Sequence, residues 1–330
     1  MQLLFIRMLL VGFLLVSSQL QAQDSELVAR AESGAVVAQT ELGYIYAVGE
    51  GVPQDFAAAL QWFKRAADLG YADAQYNYGN MYANGFGVTQ DYTEALQWYQ
   101  RAAAQNHMRA QYNLGFMYDN AQGVSQDYRE AAKWYRAAAE QGHEAAQNNL
   151  GVMYKYGYGL EQSYPDALKW LKLSAEQGYP IGQFNYGAMF VNGTGVERDY
   201  AEAAKWYQLS ADNGNVGAQF GLADMYIAGE GVPQDYTKAG SLYLAAAKQG
   251  NSEAQYNIGE MFAAGYGVTQ NFISAYLWSE ISAQTATVFH RGRATRNRDQ
   301  IAEQMTEEQV SEAKVLAQRC LDSNYKDCGS

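Results

Sequence analysis

Seven small-residue–Gln pairs recur along the chain at an unbroken spacing of 36 residues: Ala38-Gln39, Ala74-Gln75, Ala110-Gln111, Ala146-Gln147, Gly182-Gln183, Ala218-Gln219 and Ala254-Gln255. A period of this length without insertions describes one supersecondary unit written seven times, filling residues 38–289. The prior of about two domains that a length of 330 residues suggests gives way to a single array.

Within a unit the first eleven positions read as a helix. Ala110, Leu114, Met117 and Tyr118 fall at i, i+4, i+7 and i+8, one apolar stripe. A glycine-rich turn follows, as in Gly85-Phe86-Gly87 or Gly229-Glu230-Gly231. A second helix then opens on an N-cap acid three residues before Glu, as in Asp91-Tyr92-Thr93-Glu94 and Asp127-Tyr128-Arg129-Glu130, a capping box in form. It carries Tyr92, Ala95, Trp98, Tyr99, Ala102 and Ala103 on one side. It stops at a C-terminal glycine such as Gly70, Gly142, Gly178, Gly214 or Gly250. One hairpin has too little buried area to stand alone, so aromatic knobs must lie on the Ala/Gly surface of the next. The glycine at position 6 of the first helix (Gly43, Gly79, Gly115, Gly151, Gly187, Gly259) costs about 1 kcal/mol against Ala in an isolated helix and is expected to permit close helix approach. Residues 23–37 read as an N-terminal capping half-repeat, and residues 290–330 as C-terminal capping helices and tail.

The string A-Q-x-x-L-G-x-x-Y-x-x-G-x-G-V-x-x-D-Y-x-x-A-x-x-W-Y-x-x-A-A-x-x-G, matched by Ala110 to Gly142 except at Ala121, resembles the Sel1-like repeats, relatives of the tetratricopeptide repeats. Departures are minor: Leu242 stands where the other units have Trp, and Ala223 where they have Gly. The resemblance implies an all-α, right-handed superhelical α-solenoid of helix-turn-helix repeats with terminal capping helices. It further implies a non-catalytic scaffold or adaptor that binds a protein or peptide partner along a concave face lined by the first helices.

Composition excludes other classes. With 35 Asp+Glu against 23 Lys+Arg the net charge is −12, so nucleic-acid phosphates would approach a repelling surface. Arg7, the apolar run Met8–Val16 and Leu20-Gln21-Ala22 read as a cleavable signal peptide over residues 1–22, with export to the periplasm or beyond. The apolar run is far short of the roughly 20 residues that span a bilayer, so no membrane span is expected after cleavage. Cys320 and Cys328 lie eight residues apart in an exported chain, and a disulfide between them is expected.

The remaining chemistry-bearing residues have plainer readings. Trp62, Trp98, Trp134, Trp170, Trp206 and Trp278 all occupy position 25 and read as core. His107 and His143 share the turn at position 34 and read as surface turn residues. With no His/Cys cluster at ligand spacing, no metal and no cofactor are expected. Ser311-Glu312-Ala313-Lys314 and Ser323-Asn324-Tyr325-Lys326 match S-x-x-K, which would suit a β-lactamase-like envelope hydrolase, but no K-T-G follows. A carbohydrate-binding solenoid using exposed Tyr is a further alternative. The basic run His290–Arg298 reads as a solvated helix entry.

Position 4 of the first helix carries Asn77, Asn113, Asn149, Asn185 and Asn257, with Glu41 and Gly221 as exceptions. Given the resemblance, these amides either pair with an extended peptide or bond neighbouring helices. Positions 7 and 11 lie on the same stripe and vary. There Phe116, Val152 and Tyr156, beside Asp119 and Lys155, mark the expected partner groove, with Tyr44 on the same stripe nearer the N-terminus.

Overall fold

The computed structural model describes residues 25–328, and the segment read as a signal peptide lies outside the described residues. Among the described residues every regular element is a helix, seventeen in all. A short helix α1 (25–32) precedes seven hairpins. These pair α2 (Val36–Val48) with α3 (Phe56–Asp68), α4 (Ala72–Asn84) with α5 (Tyr92–Ala104), and α6 (Met108–Asp119) with α7 (Tyr128–Glu140). They continue through α8 (Glu144–Tyr156) and α9 (Tyr164–Glu176), α10 (Pro180–Asn192) and α11 (Tyr200–Asp212), α12 (Val216–Ala228) and α13 (Tyr236–Ala247), and α14 (Ser252–Ala264) and α15 (Phe272–Thr285). Helices α16 (Val288–Ala302) and α17 (Glu307–Asp322) close the chain. The fold is an all-α solenoid, and each first helix begins two residues before its small-residue–Gln pair.

The described chain divides into two compact units. One takes in residues up to Ala146 together with Tyr156–Gln162; the other comprises Gln147–Lys155 and residues from Ser163 onward. In the first unit Ala110 and Leu114 are wholly buried, as are Ala131 and Tyr135 on α7. In the second the core runs through Leu222, Ile258, Tyr243, Ile281 and Trp278. Burying each Leu or Ile contributes about 1.5–3 kcal/mol, spread over many short helices instead of one centre.

The position-6 glycines sit where rings press on backbone. A Cβ on Gly115 would lie 2.5 Å from the Tyr135 ring, and one on Gly79 2.9 Å from Tyr99. In the turn, Gly123 has φ +68° and a Cβ there would meet the Tyr92 backbone at 2.6 Å, so each loop packs against the start of the preceding second helix. Ala121 takes the left-handed conformation without glycine's freedom, at φ 56°, at a cost of about 1–2 kcal/mol.

Caps follow the sequence pattern with one change. Asp91 accepts from the backbone N–H of Thr93 and Glu94, and Asp127 from Arg129 and Glu130. The N3 glutamates do not complete these as capping boxes. Glu94 accepts from the Trp98 indole N–H at 2.8 Å, and Glu202 from Trp206 at 2.9 Å. A full capping box occurs at Thr306 and Gln309 of α17. Trp98 and Trp206 thus each carry one polar anchor, and the reading of all six tryptophans as core holds for Trp98, Trp170 and Trp278, while Trp62, Trp134 and Trp206 are half-buried.

A second change concerns the turn histidines. They are half-buried N-caps of first helices: Nδ1 of His107 accepts from Ala110 N–H at 3.1 Å, and Nδ1 of His143 from Ala146 N–H at 3.3 Å. Each imidazole stacks on a tyrosine, His107 on Tyr76 and His143 on Tyr112. Asn215 and Asn251 make the same cap in later hairpins, bonding Ala218 and Ala254. Because Nδ1 accepts, the proton belongs on Nε2, which in His107 lies 3.2 Å from Asp73 Oδ1.

The glutamine of each small-residue–Gln pair is buried; Gln111 donates to Asn106 Oδ1, whereas in Gln75, Gln219 and Gln255 the amide ties two helix ends together. The carbonyl that Nε2 reaches lies eight residues earlier, at the end of the preceding second helix: Gln39 to Ala31, Gln75 to Ala67, Gln219 to Ala211 and Gln255 to Ala247. The Oε1 atoms accept from a side chain thirty residues later: Gln75 from Gln105, Gln111 from Gln141, Gln147 from Gln177, Gln219 from Gln249 and Gln255 from Thr285. Gln39 and Gln183 lack that donor, because the position is held by Leu69 and by Asn213, whose amide bonds Leu209 O.

Two predictions follow from these bonds. Leu69 is 64% exposed, so Leu69→Gln supplies the missing donor without removing core. It should stabilise the protein by about 1 kcal/mol, read as a higher urea midpoint; an unchanged or lower midpoint would contradict the bridge. Burial holds both imidazoles below their ordinary pKa, outweighing the Asp73 carboxylate at His107 and Glu144 at His143. The unfolded chain therefore binds more protons as pH falls through about 6.5, so stability present above that pH is lost below it. Protonated Nδ1 also cannot accept, removing caps worth about 1 kcal/mol each. The double variant His107→Asn/His143→Asn should lose less stability than wild type between pH 7.5 and 5; parallel pH profiles would refute this.

Candidate functional site

Positions 4, 7 and 11 of the first helices are where side chains are not consumed by the core. Tyr44 is 56% exposed, Tyr156 54% and Phe116 38%. Val152 differs: it is half-buried and packs against the cluster of Ala167, Leu171 and Met189. Asp119 is also half-buried and accepts from the Tyr135 hydroxyl at 3.3 Å. Desolvation raises its pKa above the ordinary carboxylate value, against the lowering effect of that hydrogen bond. Lys155 and Asn149 sit half-buried on α8.

Most of the asparagines bond within the protein. Asn113 Nδ2 donates to Asn80 Oδ1 at 3.4 Å, and Asn80 Oδ1 also accepts the Tyr99 hydroxyl at 2.6 Å. In the second unit Asn185 donates to Asn148 at 2.7 Å, and Asn148 donates to Asn149 at 3.0 Å. Burial pushes the pKa of the Tyr243 hydroxyl up, the Asn257 amide lies near enough to pull against that rise, and the hydroxyl donates to Asp224. Asn77 has no hydrogen bond among the described residues.

Two hollows take in three of these residues, Tyr44, Asn77 and Asn257, while Phe116, Val152 and Tyr156 line neither. In the first unit a space of about 670 Å³ is lined by Val37, Glu41, Tyr44, Tyr76, Asn77 and Arg109 among others, so it brings Tyr44 and Asn77 together. In the second unit a space of about 550 Å³ is lined by Tyr236, Tyr243, Asn257, Glu260, Tyr266 and Asn297 among others. The sequence pattern did not single out Tyr71, Asp73 and Tyr76 in the first hollow or Asn80 and Asn148 in the amide chains, and it read His107, which lines the same hollow, as a surface turn residue. A recurring residue can still face a cavity when the neighbouring repeat carries a smaller side chain.

Elsewhere on the first unit Tyr156, Tyr158 and Tyr128 form a run of stacked rings, with centroids 5.5 and 5.3 Å apart. Near the C-terminus Cys320 and Cys328 are joined by a disulfide. Of the two S-x-x-K strings, Ser311 and Lys314 stand exposed on α17. Ser323 Oγ donates to Cys320 O at 2.9 Å and accepts from Asp327 N–H at the same distance, so its hydroxyl serves the helix end. The basic run is docked in part: Arg298 pairs with Glu280 at 3.0 Å, His290 with Glu253 at 3.4 Å, and Arg293 stacks over Tyr256. Among the described residues no group of three or more His, Cys, Asp or Glu could hold a metal ion.

The Sel1 repeat model matches seven consecutive stretches, 36–71, 72–107, 109–143, 144–179, 180–215, 216–251 and 252–284. The structure is similar to a Sel1 repeat protein from Oxalobacter formigenes, at 35% identity and a TM-score of 0.69, with 82% of this chain and 78% of that one covered. A protective antigen of uropathogenic Escherichia coli with an SLR fold matches at 27% identity and a TM-score of 0.43, over 92% and 79% of the two chains. No curated protein matches. Sel1 repeats generally mediate protein–protein interaction, and the proteins built from them are generally non-catalytic scaffolds. Seven matched repeats, and a 35%-identical relative covered over most of both lengths, establish that this chain belongs to the Sel1 repeat family.

Proposed function

We propose that the protein is an exported, non-catalytic scaffold of the cell envelope that holds a protein or peptide partner on the faces its first helices present. The observation that carries this reading is the exposure of Tyr44, Phe116 and Tyr156 at positions the repeat does not need for its core. Large rings exposed on a rigid helix face supply contact area at low entropic cost. Chain chemistry supports the location: a Cys320–Cys328 disulfide persists in oxidising compartments, and residues 1–22 have the pattern of a cleaved leader. Among the described residues no helix is long and apolar enough to cross a membrane.

The test is photocrosslinking in cells with a photoreactive residue at position 116 or 156, and at exposed Val315 on α17 as a control. The expected result is a discrete protein adduct from the first two positions and not from the third, on a mature chain that begins at Gln23 and is recovered from the periplasm. Adducts equal at all three positions, or none, would refute the binding face. A retained leader in cytoplasmic protein would refute export.

A further inference from the structure

We infer that the hollow in the first unit receives an extended peptide segment in which a lysine or arginine is flanked by aliphatic side chains. The inference rests on the scaffold reading and names the chemistry of one of its binding faces. The hollow is set apart by what is left unpaired in it. Asn113, Asn149, Asn185 and Asn257 all have side-chain partners within the protein. Asn77 has none among the described residues, and its amide offers both a donor and an acceptor, the complement of one peptide group. Glu41, one repeat earlier and lining the same space, has no ion pair or hydrogen bond among the described residues, and the Tyr44 hydroxyl has no partner either. A polypeptide laid across α2 and α4 would meet three groups with open hydrogen-bonding capacity.

Charge decides which side chain enters. The ionisable groups of the lining are Glu41, Asp73, Arg109, His107 and the phenols of Tyr44, Tyr71 and Tyr76. Asp73 already accepts from Tyr71 at 2.9 Å and faces His107 Nε2 at 3.2 Å, which leaves Glu41 as the open carboxylate. Two carboxylates against one guanidinium, in a chain of net charge −12, favour an incoming cation and repel an acid. The Tyr44 ring adds an exposed face for a cationic head group.

Apolar flanks are asked for by α2 itself. Val37 is 54% exposed and Val48 48%, in line with Tyr44 along one side of the helix. The equivalent residues on α4 are Asp73, Asn80 and Asn84, all polar. The second unit's hollow lacks this readiness: the Asn257 amide lies close to the Tyr243 hydroxyl, Asn297 donates to Ser279, and Glu260 is engaged by Tyr256 and Arg293.

The experiment uses the mature full-length protein with its disulfide intact, applied to immobilised decapeptides of random Leu, Val and Ala with a central Lys, Glu or Ser. The Lys pool should be retained about ten-fold more strongly than the Glu and Ser pools. That preference should be lost in Glu41→Gln and reversed toward the Glu pool in Glu41→Lys. Retention of the Lys pool should fall in Asn77→Ala and stay unchanged in Val315→Ser. Glu41 is exposed and Asn77 half-buried, and unaltered circular dichroism melting confirms that each variant is folded. Equal retention of Lys and Glu pools, absence of binding by every pool, or a Lys preference that survives Glu41→Gln overturns the assignment. If crosslinks at 116 and 156 still capture a partner, only the chemistry of this hollow fails; if they do not, the scaffold reading fails with it.

Discussion

A buried glutamine at the second position of each repeat is the bond that the array depends on. Its amide nitrogen is bound to the end of the preceding hairpin, as Gln255 to Ala247, while its oxygen is bound to the end of its own hairpin, as Gln255 to Thr285. Helix ends leave carbonyls without intrahelical partners, and a buried orphan costs about 1–3 kcal/mol. Here the C-terminal glycine already takes the carbonyl, as Gly250 N–H to Ala247 O, and the glutamine adds a second bond to it that sets the register between successive hairpins. Hydrophobic contact between alanine and tyrosine surfaces is broad and non-directional; the amide is what makes one placement better than its neighbours.

With that bond in place, the small residues acquire their meaning. Gly115 and Gly79 lie where the Tyr135 and Tyr99 rings would collide with any Cβ, so each hairpin closes on its own second helix at backbone distance. The hydroxyls of those rings then turn outward to Asp119 and Asn80. The core is thereby connected to the polar edge of the same face that bears the exposed rings. A binding face built this way is rigid because its supports are core residues, and its specificity resides in the few positions that the core does not claim.

Much of the fold was legible in the sequence because repetition removes ambiguity: a single helical stripe is weak evidence, but seven in phase leave one supersecondary unit. Asp91 and Asp127 could be assigned as caps from local spacing alone. Their partners Glu94 and Glu130 could not, since a carboxylate three residues on can return to the cap, as a capping box requires, or reach an indole or a lysine. Which it does depends on where Trp98 lies. The histidines were misread for the same reason. Position 34 looks like an open turn until the stacking of Tyr76 and Tyr112 buries the imidazole and directs Nδ1 at a helix N-terminus.

The candidate site divides along the same line. Period and residue type identified the asparagine ladder and the exposed rings Tyr44, Phe116 and Tyr156. Only the packed structure separates Asn77, which has no partner among the described residues, from Asn113, which bonds a residue 33 positions away in the preceding repeat. Sequence by itself determined the number of hairpins, the aspartate caps of the second helices and the side of each helix that faces inward, because those follow from local periodicity and from the need to bury an apolar stripe. Tertiary structure decided which polar groups remain open, because that depends on distances between residues a full repeat apart, and no local rule of propensity or spacing sets those.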